Sequence, residues 1–134
     1  MNISDNTYSK LNFTWWMLKL TFGLVFIIAG ADKFTNIIVQ WVQYLNGMYP
    51  TAIGTDALTF MHAVGVIEIV IGVITLSRWT KLGAYLTAMW LLLIVINLVT
   101  KMAFFDVAVR DVGLAVGALA LAFLTTIREE IQRS

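Results

Sequence analysis

The segment ALTFMHAVGVIEIVIGVITLS, residues Ala57–Ser77, decides the fold. It is a long apolar run with a single carboxylate, Glu68, at its middle. Read as a membrane helix, it sets Glu68 near the centre of the bilayer. A carboxylate there costs at least about a few kcal/mol unless it is paired, hydrated or protonated. Gly65 and Gly72 stand at i−3 and i+4 from Glu68, so the three share one helix face. Small residues on that face let a second helix approach closely. Glu68 is therefore expected in a helix–helix interface, turned away from lipid. Two roles are open to it: a site residue, or a hydrogen-bonded strut that only holds helices together.

The rest of the chain agrees with a membrane setting. It has 134 residues, of which 60% are hydrophobic and 13% charged. Soluble domains carry about 25% charged residues. Nine Lys and Arg against eight Asp and Glu leave almost no net charge, which argues against a basic nucleic-acid surface. There is no Cys, hence no disulfide, thiol redox chemistry or thiolate metal site. A lone His cannot build a histidine metal site or clamp a heme between two histidines. No metal and no resident cofactor is expected.

Working outward, three more spans are expected. The first covers 13–31, opened by Trp15 and Trp16 as an interfacial anchor. Lys19, Gly23, Gly30 and Lys33 fall on one face of it, as suits a packed helix. An alternative makes Leu20–Ile28 the apolar core of a cleaved signal, with Ala29-Gly30-Ala31 as its cleavage site. Leu82–Thr100 is free of charge and defines a span over 82–101. Val112–Ile127 defines another over 108–127, with Gly113 and Gly117 forming a GxxxG packing signal. The polar ends, Met1–Lys10 and Arg128–Ser134, read as tails. Between the first two spans, Ile37, Ile38, Trp41, Val42 and Leu45 recur at helical spacing opposite Asn36, Gln40 and Gln43. This predicts a short amphipathic interfacial helix over 36–46, ended by Tyr49-Pro50 and Gly54. The fold class is all-α: an integral-membrane four-helix bundle in a single domain.

Four spans put both termini on one side. That side holds Lys10, Arg78, Lys81, Arg128 and Arg133, and the other Lys33, Lys101 and Arg110. The bias favours cytoplasmic termini. Asp32, Lys33, Lys101, Arg110 and Asp111 then converge at the outer end of the bundle, with His62 and Asn97 a little deeper. A rise of 1.5 Å per residue sets Glu68 roughly 16 Å below Ala57 and roughly 11 Å beyond Arg110. The predicted arrangement is a polar funnel, open outward and closed at its base by Glu68. The gap to Arg110 exceeds a salt bridge, so Glu68 is expected either neutral or reached through Asn97 and water. The candidate site is Glu68, Arg110, Asp111, His62, Asn97 and Lys33. Candidate packing residues are Gly23, Gly30, Gly65, Gly72, Gly113 and Gly117.

These motifs, in this order, resemble the DoxX family. Leu20–Phe34, LTFGLVFIIAGADKF, is similar to its opening helix, closing in G-x-x-K at Gly30 and Lys33. The loop ending in Tyr49-Pro50 leads to a G-x-x-E-x-x-x-G, here Gly65, Glu68 and Gly72. RDVGLAVGALAL, Arg110–Leu121, is similar to its last helix. The resemblance spans about Leu20–Leu124. It implies a four-helix protein of the bacterial inner membrane, in a family whose members are linked with thiosulfate:quinone oxidoreduction or with oxidative-stress complexes.

The functional expectation is a small membrane subunit that docks a redox partner protein or a quinone-like lipid, with no redox centre of its own. Its surroundings are the lipid bilayer, with a homo-oligomer open. The rivals are a non-enzymatic assembly scaffold, using the Gly-lined faces, and a small oligomeric transporter or channel with Glu68 on its path.

Overall fold

The computed structural model describes residues 3–134. Four long helices cross the same thickness: α1 (Asp5–Thr35), α3 (Ala57–Leu76), α4 (Thr80–Lys101) and α5 (Phe105–Arg133). A short helix, α2 (Met48–Ala52), and a 3-10 turn at Trp41–Tyr44 lie in the α1–α3 connection. No strand occurs among the described residues. All four long helices are apolar enough to span a bilayer. The 20 residues of α3 give about 30 Å, the thickness of the hydrocarbon core.

The ends of α1 and α5 differ from expectation. Both run through the polar segments read as tails. Ser4 caps α1 by accepting from the Thr7 amide at 3.1 Å, and Asp5 sits favourably in the first turn. With 31 and 29 residues, these helices reach about 43–46 Å and outrun α3. Their extensions hold each other. Trp15 Nε1 donates to Thr125 Oγ1, Arg128 Nε to Asn12 Oδ1, and Gln132 Nε2 to Tyr8 Oη. Each pair of numbers adds to the same total, the mark of an antiparallel register.

Helices α1 and α3 are also antiparallel, and glycines set their distance. A Cβ on Gly65 would stand 2.6 Å from the Gly30 carbonyl oxygen, and one on Gly72 would stand 2.7 Å from that of Gly23. The two contacts are seven residues apart on each helix, the repeat of left-handed helix packing. Helices α4 and α5 meet through a seam of alanines, with Ala84, Ala88, Ala115, Ala118 and Ala122 all buried. Gly117 faces the Phe22 ring, while a Cβ on Gly113 would meet nothing within 4 Å. Gly113 is therefore no packing residue within the bundle. Large side chains such as Val25, Ile28, Val70, Leu93, Val116 and Phe123 point outward, as lipid contact requires.

The predicted helix over 36–46 is replaced by a loop wrapped around a carboxylate. Asn36 closes α1 in the left-handed conformation (φ 53°), which Asn tolerates. Asp32 then accepts from the amides of Ile37, Ile38 and Val39 at 3.0–3.2 Å and from Trp41 Nε1 at 2.7 Å. A carboxylate that takes three successive amides removes the donors a helix would use. Ile37 and Ile38 end up exposed. In the α1–α3 register Asp32 stands level with Ala63, about 9 Å below the start of α3. Non-helical backbone at such depth is tolerated only where protein satisfies its polar groups. Asp32 does so here.

Candidate functional site

The site is built where α1, α3, α4 and the loop meet. Lys33 Nζ and Glu68 Oε2 are 2.7 Å apart, and both residues are buried, at 4% and 3% exposure. Trp90 of α4 donates its indole N–H to Glu68 Oε1 at 3.1 Å. The Trp41 ring covers Lys33, with Nζ 3.7 Å from its centroid. Each charge thus has a formal counter-charge, and each is shielded by a tryptophan. Asp32 fixes the Trp41 indole by its N–H, so the lid is tied to the residue next to Lys33.

This corrects the expected environment of Glu68. Its partner is Lys33, and Asn97 does not reach it. Helix geometry explains the reach. Lys33 is level with His62, about 9 Å outside Glu68 along the axis. Side chains lean toward the N-terminus of their own helix. In antiparallel α1 and α3 this tips Lys33 inward and Glu68 outward, so their heads converge.

The other candidates do not touch Glu68. Asn97 Nδ2 donates to the Tyr44 carbonyl at 2.7 Å, and its Oδ1 accepts from the Asn46 amide at 2.8 Å. Lys101 donates to the Leu45 carbonyl at 3.0 Å. These two residues staple the loop to α4. His62 stacks on Phe34 at 4.8 Å between centroids. Arg110 pairs with its neighbour Asp111 at 3.0 Å, with the guanidinium largely exposed and the carboxylate buried. The expected single funnel is therefore divided into a buried ion pair and a loop staple, with the Arg110–Asp111 pair beside the first: the buried Asp111 carboxylate lies within electrostatic reach of Lys33.

Trp90, Trp41 and Asp32 were not among the sequence candidates. Trp90 had a signal: it lies in the middle of its span, whereas membrane tryptophans concentrate at the interfaces. Trp41 was hidden in the apolar periodicity of the loop. Asp32 looked like a helix-end charge.

Beside the pair lies an apolar groove of about 310 Å³ between α3, α4 and the end of the loop. Thr59, Phe60, Ala63, Val64 and Ile67 line one side, Ile53 and Thr55 the top, and Trp90 the α4 side. The Trp90 indole is thus shared: it lines the groove, and its N–H is held by Glu68.

Four membrane-spanning helices around a buried acid–base pair define a multi-pass membrane protein. The DoxX family model matches residues 14–102, and the chain belongs to the DoxX family. The match takes in Lys33, Trp41, Glu68 and Trp90 and ends before α5. No curated protein and no solved structure matches the chain.

Proposed function

We propose that this DoxX protein holds the ring of a quinone-like lipid in the α3–α4 groove and presents it to a redox partner. The observation that supports the reading is the position of Trp90, between an apolar groove and a buried ionisable pair. A groove of about 310 Å³ is at the small end of ligand sites, enough for one substituted ring with its tail in lipid. The Trp90 face offers an offset-stacking surface, fixed in plane by the bond to Glu68. Behind that wall the buried Lys33–Glu68 pair anchors the indole that faces the groove. The chain has no Cys and one His, so electrons come from a partner or from an organic cofactor that the partner holds. The charge bias favours cytoplasmic termini in a bacterial inner membrane, with the partner approaching from that side.

A scaffold acting through glycine-lined faces is less well supported. Gly23, Gly30, Gly65 and Gly72 are already occupied between α1 and α3.

The test is the lipid content of gently purified protein. Quinone should be enriched over its share of the host membrane. Ala63→Trp, which fills the groove from an exposed position, should remove that enrichment with helicity and melting unchanged. Quinone at the bulk membrane ratio, or retained in Ala63→Trp, would overturn the proposal.

A further inference from the structure

The opposite end of the bundle, which carries the termini, holds two cations with no ion-pair partner among the described residues. Lys19 is buried, at 6% exposure, yet its ammonium meets only the Ser77 carbonyl, at 3.1 Å, and two indole faces. It stands 4.6 Å from the Trp15 centroid and 4.8 Å from that of Trp16. Arg128 lies over the same Trp15 ring, its Cζ 3.9 Å from the centroid, with Nε committed to Asn12. The two charges are thus within about 9 Å of each other, roughly one Debye length in physiological salt.

No carboxylate answers either of them among the described residues. Glu129, next to Arg128, is held by Lys81 at 3.1 Å and Arg133 at 3.8 Å. The contrast with the other end is direct. There, buried Lys33 has Glu68 and Arg110 has Asp111. A buried ammonium without a counter-charge is unfavourable, and indole faces compensate only in part.

The depth of the pair names the missing partner. In the α1–α5 register Arg128 is level with Asn12, seven residues from Lys19, or about 10 Å along the axis. Lys19 contacts Ser77, the residue that ends α3 and so marks the edge of the hydrocarbon core. Lys19 and Arg128 therefore bracket the headgroup layer of one leaflet, about 5–7 Å thick. Trp15 and Trp16 sit where interfacial aromatics belong. Lys19 spends one N–H on the Ser77 carbonyl, and the two terminal nitrogens of Arg128, beyond the Nε held by Asn12, present a fork suited to phosphate oxygens. We propose that Lys19 and Arg128 form a binding site for the phosphate of an anionic phospholipid in the leaflet at the termini. The site is distinct from the quinone groove and stands independently of that proposal.

The test compares protein in phosphatidylglycerol and in phosphatidylcholine nanodiscs, scored by lipid retained in native mass spectra after detergent exchange. Wild type should retain phosphatidylglycerol in preference. An interfacial cation contributes about fivefold in affinity for anionic lipid, so Arg128→Gln should cut the preference about fivefold and Lys19→Met/Arg128→Gln about 30-fold. Lys81→Gln, whose partner is Glu129, should change the preference less than either. If the double variant does not fold, the single variant Arg128→Gln, at the half-buried position, carries the test. Equal retention of both lipids by wild type, or a preference unchanged by Arg128→Gln, would overturn the site. Displacement of the retained lipid by millimolar inorganic phosphate would overturn its assignment to a membrane lipid.

Discussion

Lys33→Met is the sharpest single perturbation of the buried pair. It removes the ammonium 2.7 Å from Glu68 and leaves the carboxylate at 3% exposure with one remaining donor, the Trp90 indole. Breaking a buried ion pair from one side costs about 3–5 kcal/mol, because the other charge stays behind uncompensated. Against a total stability of about 5–15 kcal/mol, that is a large fraction, and the variant should unfold at markedly lower denaturant. Glu68→Gln should cost less, since the amide oxygen still accepts from Trp90. Replacing both groups, in Lys33→Met/Glu68→Gln, should bring stability back to within about 1 kcal/mol of wild type, because both buried charges are gone while the amide oxygen still accepts from Trp90. The assay is reversible unfolding in mixed micelles, followed by helicity and combined into a double-mutant cycle. A coupling of at least about 2 kcal/mol is expected. Strictly additive effects, with coupling under about 0.5 kcal/mol, would refute the ion pair as the organising contact of the site.

Two further outcomes follow from the same geometry. Gly65→Ala should destabilise by about 1–3 kcal/mol, because its methyl group would press the Gly30 carbonyl. Gly113→Ala, where a methyl meets nothing, should be neutral or stabilising by up to about 1 kcal/mol; equal losses at the two positions, measured by the same unfolding assay, would contradict the α1–α3 contact. Asp32→Ala should release the amides of Ile37, Ile38 and Val39 and free the Trp41 indole. Proteolysis between residues 37 and 47 should then accelerate while the membrane helices stay intact, and an unchanged cleavage rate would mean that the loop is held by other contacts.

Much of the architecture was legible in the sequence. The charge-free run Leu82–Thr100 and the single carboxylate inside Ala57–Ser77 both demand a bilayer and a partner. The glycines encode the register as well as the packing. Gly23 and Gly30 are seven apart, as are Gly65 and Gly72, and pairing them antiparallel sets the α1–α3 register. That register places Lys33 one reach from Glu68. Rise arithmetic measured from Arg110 could not find it, because it treats side chains as points at their own depth and ignores their lean along the helix. The loop misled for another reason. Apolar residues at Ile37, Ile38, Trp41 and Val42 have the spacing of a helix, but one buried carboxylate seven to nine residues upstream of its last donors was enough to bend the backbone around itself. Periodicity reports local preference and carries no trace of such a tertiary acceptor. The helical tails at Asp5–Asn12 and Arg128–Arg133 show the converse. Their composition alone suits a solvated coil, and they are helical because each has the other to bind.

The proposed quinone site is the groove walled by Trp90, beside the Lys33–Glu68 pair. Photolabelling with an azido-quinone, followed by peptide mass spectrometry, tests it most directly. Label is expected within Thr59–Ile67 and at or next to Trp90, competed away by excess unlabelled quinone and absent from Ala63→Trp. Label confined to other lipid-facing surfaces, or label at the groove that excess quinone does not displace, would contradict it.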